Sequence, residues 1–289
     1  MRNRCDRGSG GRIARDVVVS VLVAVVLGGC WSGSATSAMP VAGARPEYEG
    51  PFVITRDDMV IEGMKILRPL VINANNVVIR NCLVQASTNA AAGEPLILVP
   101  SHTRGTVIAG NDIRGPEPSS GQQAVNGVKL YGDDIEFSNN EVSQVSGDGV
   151  IVGGTNLRVV NNYVHGFVSQ VGGESDAVVF GGEDRTSRVL ISRNRLEMWM
   201  PEGMASLISL PEVAPNMVVS ENRLAGGTYA IAGGGGAATI SGNRFSVRFS
   251  RHCGRLGTHL LQTDRDRQGV RWSENRWDDG PEAGREIGL

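Results

Sequence analysis

The chain says the same thing twice in a row, and that repetition limits what it can fold into. NGVKL-YGDD-IEFSNNEV (126–142) is followed by DGVIV-GGTN-LRVVNNYV (148–164), which puts Asn140 and Asn162 at equivalent places 22 residues apart. Each copy has a short alternating strand, a turn, a second strand, and an Asn with an apolar residue two positions on. Two strands cannot bury a face alone; stacked copies of the unit can.

Registered on that Asn, the phrase recurs along the chain as MVIEGMKI, VVIRNCLV, TVIAGNDI, IEFSNNEV, LRVVNNYV, VLISRNRL, MVVSENRL, ATISGNRF and VRWSENRW. The registered residues are Met64, Cys82, Asn111, Asn140, Asn162, Asn194, Asn222, Asn243 and Asn275, spaced 18, 29, 29, 22, 32, 28, 21 and 32 apart. A shorter strand precedes most of them (LILV, GVKL, GVIV, AVVF, SLISL, YAIA, HLLQ). The spacing is too uneven for a propeller blade, and no helical pattern separates the units. The expected fold is therefore all-β: a single-stranded parallel β-helix of about nine coils. An Asn ladder at the bend would satisfy buried polar groups, inward Val, Ile and Leu would fill the bore, and loops of variable length would leave from one corner.

Residues 1–29 stand apart. Five Arg precede an apolar run, Val17 to Leu27, that is too short to cross a bilayer comfortably and has the proportions of a signal peptide. It ends in Leu27-Gly28-Gly29-Cys30, which resembles a bacterial lipoprotein cleavage site; Cys30 would then carry the lipid anchor to the cell membrane. Residues 30–46 are rich in Ser, Ala, Gly and Pro and read as a flexible tether, leaving 47–289 as one β-helix domain. Loss of 1–29 removes five Arg and two Asp and takes the formal charge from −2 to −5. No basic stripe interleaved with aromatics is evident, which argues against nucleic acid. An extracytoplasmic location permits a Cys82–Cys253 disulfide, although the register turns Cys82 into the core.

From about Gly50 to Gly280, through NANNVVIRN, NGVKL, DGVIV and SGNRF…WSENRWDDG, the sequence resembles secreted actinobacterial right-handed parallel β-helix repeat proteins of the pectate-lyase-like superfold. That superfold hosts lyases, hydrolases, epimerases and pure binders, so the resemblance implies a fold more than an activity. The Asp-His pair of pectate lyases and the polygalacturonase motif set are absent. Where the members most resembled carry a His before the Asp of the third middle coil and a Gln after it, this chain has Ser175 and Val179.

Candidate chemistry gathers where the first strand of each middle coil opens. Asn126, Asp148 and Asp176 should stack there, about 4.8 Å apart. Two carboxylates that close share a proton or hold a cation, so Asp148 and Asp176 are candidate catalytic groups and candidate Ca²⁺ ligands. Glu174 would add a third oxygen, His165 a base near neutral pH, and Lys129 a cation for a uronate. Trp199 would offer a sugar ring a platform, together with Met198, Met200 and Met204. The competing reading makes the acids ordinary turn residues that form a corner ladder. The glycine-rich stretch 226–239 lacks the Lys and helix of a phosphate loop and reads as a tight corner. The expected function is a lipid-anchored β-helix that binds polysaccharide or a cell-envelope glycan, with lyase or hydrolase chemistry at the corner. The alternative is a non-catalytic surface scaffold or adhesin. Ca²⁺ is the one cofactor considered, and the sequence leaves the oligomeric state open.

Overall fold

In the computed structural model the described residues are 45–85, 94–116, 126–168, 175–181, 186–199, 205–212, 216–234, 236–261 and 269–289. All lie in one compact unit, Ala42–Leu289. The signal-like segment, Cys30 and most of the tether fall outside them, as does Glu174.

Each coil contributes three strands, not two. In the fifth coil these are Val150–Val152, Thr155–Val160 and Tyr163–His165. Strands of the same kind pair in parallel from coil to coil, which gives three nine-stranded sheets along one axis; we number them one, two and three in the order the coil visits them. The third strand was hidden in the Asn-x-apolar signature because it spans only two to four residues. The bend from sheet two to sheet three is two residues long in every coil, whereas the passage from sheet three into sheet one ranges from two residues (227–228) to twelve (166–177).

The invariant bend explains the Asn positions. Its first residue is left-handed in all nine coils, with φ from 56° to 67° across the chain's Asn, Gly, Arg and Glu residues there, Asn81, Asn161, Arg193 and Glu274 among them. Its second residue is the ladder position. From Asn111 to Asn243, each Asn donates its backbone N–H and its Nδ2–H to the Oδ1 of the next Asn. Each Nδ2 also donates to a sheet-two carbonyl of the coil below. No hydrogen-bonding group of these buried amides is idle, which is the condition for burying them at all. Cys82 ends the ladder: its N–H donates to Asn111 Oδ1, and its thiol lies 3.6 Å from the Ile61 carbonyl, where an Asn would have placed an amide. Cys82 and Cys253 are both buried free thiols, with no disulfide between them, and burial pushes Cys253 up to about 12.

Inward side chains stack as columns. In sheet two the series Ile61, Ile79, Ile108, Phe137, Val159, Ile191, Val219, Ile240 is buried throughout and ends on Trp272. Trp272 donates its indole N–H to the Ile287 carbonyl (2.6 Å), and buried Ile287 folds back to close the bore. The matching inward column of sheet one runs Ile97, Val128, Val150, Val178, Ile208, Ile231 and then His259, 4.8 Å from the Trp272 ring.

Two consequences are measurable. Asn162→Leu leaves the Asn140 N–H, the Asn140 Nδ2–H and the Phe137 carbonyl short of partners; at about 1–3 kcal/mol per orphaned group, denaturant unfolding should show a loss of about 3 kcal/mol or more. Burial lowers the pKa of His259 below its ordinary 6.5. The stability gained from keeping its ring neutral is whole above that value and is lost as pH falls below it, because the unfolded chain then binds the proton first. Melting temperatures followed from neutral to mildly acid pH should fall for the native chain and fall less for His259→Leu.

Candidate functional site

The opening of sheet one brings Asn126, Asp148 and Asp176 into one column and sets out what their oxygens do. Asn126 Oδ1 accepts the Asp148 N–H (2.7 Å), Asp148 Oδ1 accepts the Asp176 N–H (2.9 Å), and Asp176 Oδ1 accepts the Ser206 N–H (2.6 Å). These side chains tie each coil to the next just before sheet one begins. Ser206 is a fourth rung that the sequence reading missed. Ca²⁺ takes six to eight oxygens, whereas the two carboxylates here already have one oxygen each on backbone. Among the described residues no group of three or more His, Cys, Asp or Glu side chains could hold a metal ion.

The other candidates stand elsewhere. Lys129 lies on the outer face of sheet one, in register between Leu98 and Ile151. His165 stands on the outer face of sheet three, so the two bases do not share a sheet. Burial and then the charge of Asp148 raise the pKa of Tyr131, at the end of the Lys129 strand. Met198 does not join an exposed platform; it ends the strand Arg195–Met198 as a core residue, because in that strand alternate residues face the bore. Met200 and Met204 lie outside the described residues. The glycine-rich stretch does make a tight corner: a Cβ on Gly226 would sit 1.7 Å from the Met198 carbonyl oxygen.

The outer face of sheet three carries a polar network that the sequence reading did not anticipate. His165 Nε2 donates to Glu141 Oε1 at 2.9 Å, and its ring stacks on Tyr163 with centroids 3.8 Å apart. The Tyr163 hydroxyl donates to Glu197 Oε2 (2.9 Å), while Arg195 and Arg248 donate to the same carboxylate at 2.8 and 2.9 Å. Arg195 also sits over the Tyr163 ring, 4.7 Å from its centroid. Glu197 is only 8% exposed. Burial alone would raise its pKa, but the hydrogen bonds from Arg195 and Tyr163 and the charges of Arg195 and Arg248 outweigh that and hold it below the usual carboxylate range. Burial and Glu197 raise the pKa of Tyr163. Beside this network Trp199 is 74% exposed and meets Phe249 edge to face.

Above Tyr163 in the same outward column stand Arg195, Arg223, Arg244 and Arg276, one per coil. Parallel neighbours lie about 4.8 Å apart, and like charges at that spacing repel. Arg195 is paired with Glu197 and Arg223 with Asp278, whereas Arg244 and Arg276 form no ion pair with another described residue. This is a basic stripe of the kind the sequence reading found absent, although its signal was there: Asn-Arg occurs in each of the last four repeats, and the residue after the ladder Asn points outward.

No family model matches the chain, and no curated protein matches it. Among solved structures it is similar to the periplasmic alginate epimerase AlgG, with a TM-score of 0.54 at 14% identity over 75% of this chain and 47% of that one. It is also similar to a mutant tailspike protein of E. coli bacteriophage HK620 in complex with a pentasaccharide, with a TM-score of 0.52 at 14% identity over 77% and 42%. The chain is a right-handed parallel β-helix. It spans less than half the length of either structure, and at these identities the likeness is one of fold.

Within this β-helix the corner ladder makes a sharp prediction. An amide serves at Asn126, so Asp148→Asn should leave stability unchanged to within about 0.5 kcal/mol. Asp148→Ala orphans the Asp176 N–H and should cost about 1–3 kcal/mol in a denaturant titration.

Proposed function

We propose that the protein binds polysaccharide along the outer face of sheet three, outside the cytoplasm, held to the membrane by a lipid on Cys30. The observation that carries this reading is the column Tyr163–Arg195–Arg223–Arg244–Arg276, flanked by exposed Trp199. Aromatic faces stack on the apolar faces of sugar rings, and guanidinium groups form paired hydrogen bonds to hydroxyls and carboxylates. A column of like charges opposes folding, and such local conflicts are characteristic of functional surfaces. The column runs with the helix axis, which suits an extended chain better than a compact ligand.

Binding without turnover is the form of this reading that the corner favours. Lyase or hydrolase chemistry there would need Asp148, Asp176, His165 and Glu174 to converge on one substrate. Asp148 and Asp176 instead each commit an oxygen to the next coil, and His165 belongs to another sheet. A surface scaffold or adhesin that grips glycan through sheet three accounts for both facts. The lipoprotein-like Leu27-Gly28-Gly29-Cys30 supports the anchored location.

The test is retention of the protein lacking residues 1–30 on a panel of immobilised neutral and acidic polysaccharides, with Arg195→Ala/Arg244→Ala as the comparison. The reading expects retention that weakens with salt and an affinity about tenfold or more lower in the double variant. Failure to bind any glycan, or equal affinity of the two proteins, contradicts it.

A further inference from the structure

A pocket of about 310 Å³ lies between the segment 246–256 and the C-terminal tail, lined in part by Trp277, the residue that follows the last arginine of the column. From its geometry we infer a second, blunt subsite that takes one acidic pyranose, the carboxylate-bearing ring at the end of a glycan chain. The inference rests on the sheet-three reading above and adds to it the recognition of a chain end.

The pocket is built before any ligand arrives. Asp279 clamps its two walls together: Oδ1 accepts the Val247 N–H at 2.7 Å and Oδ2 accepts the Ser246 hydroxyl at 2.6 Å. Gly280, at φ 78°, presses the tail so close that a Cβ there would sit 2.7 Å from Val247 Cγ2. Trp277 follows Arg276 directly, and its backbone is pinned on both sides, its N–H to the Arg285 carbonyl (3.0 Å) and its carbonyl from the Gly284 N–H (2.8 Å).

The lining supports this class of ligand. Trp277, Val247 and Pro281 supply an apolar side on which the flat face of a pyranose can lie. The acids present are already engaged, Asp279 as above and Glu282 with Arg285 Nη1 at 3.0 Å. Arg251 is different: its Nε donates to His252 Nε2 (2.9 Å), and its two terminal amino groups have no hydrogen bond to another described residue. A planar pair of donors next to an indole fits a ring carrying a carboxylate. The volume lies at the small end of ligand pockets, enough for one or two sugar units. It lies in the last coil, beside the strand that ends the arginine column, where a glycan laid along sheet three would reach the end of the β-helix.

The experiment measures binding of free D-glucuronic acid and D-glucose to the full chain in detergent, by tryptophan fluorescence and saturation-transfer NMR, beside retention on an acidic polysaccharide. Arg251→Ala is the variant, since Arg251 is exposed. Expected are glucuronate binding at least about tenfold tighter than glucose, and loss of that preference in the variant. Gly280→Ala, which narrows the pocket, should weaken both sugars. If the polysaccharide is retained while glucuronate shows no preference, or Arg251→Ala changes nothing, the pocket inference falls and the sheet-three reading stands. If nothing binds, both fall.

Discussion

The side-chain amide that accepts two hydrogen bonds from the coil before it is the interaction on which the rest of this molecule depends. A parallel solenoid must turn a sharp corner in every coil, and a turn so deep in the wall buries polar groups that water cannot reach. The Asn ladder satisfies those groups with one another. It also fixes the axial register of each coil, since the Oδ1 of one rung reaches only the rung below it. Once the register is fixed, inward residues coincide in columns and so do outward ones. The hydrophobic bore and the arginine column are two results of one constraint.

The two ladders divide the work. The Asn ladder lies fully inside the wall, at a bend of constant length. The shorter run Asn126–Asp148–Asp176–Ser206 lies where connections of six to twelve residues enter sheet one, partly exposed as far as Asp176 and buried at Ser206. A carboxylate that holds a backbone N–H in this way is positioned by the fold and positions the next coil in turn. That role leaves sheet three as the face where aromatic and cationic side chains are presented together. Between them Glu197 gathers Tyr163, Arg195 and Arg248 into one unit, so the stacked rings in the coil below it are held in place before a ligand meets them.

Much of the architecture was legible because its determinants are local and repeated. Nine copies of one short phrase fixed the number of coils, the bend, and the inward positions of sheet two. The neighbourhood of Asp148 and Asp176 also followed from alignment alone. What the oxygens of those acids do was not legible, because it depends on Ser206, a residue with no resemblance to the others. The third sheet was obscured by the shortness of its strands, and with it went the pairing of Tyr163 with His165 and of Arg195 with Glu197. These are residues two apart on one outward face, a pattern visible only once the Asn-x-apolar signature is read as a strand. The C-terminal closure by Trp272 and Ile287 depends on a tail that folds back on itself, which no repeat announces.

Amide hydrogen exchange, residue by residue, reaches the central claim most directly. If the coils are locked through the buried ladder, the backbone N–H groups of Asn140, Asn162, Asn194 and Asn222 exchange only through global unfolding, as slowly as the strands around them. Exchange of those four amides at the rate of exposed turns would contradict the ladder, and with it the outward columns on which the functional reading rests.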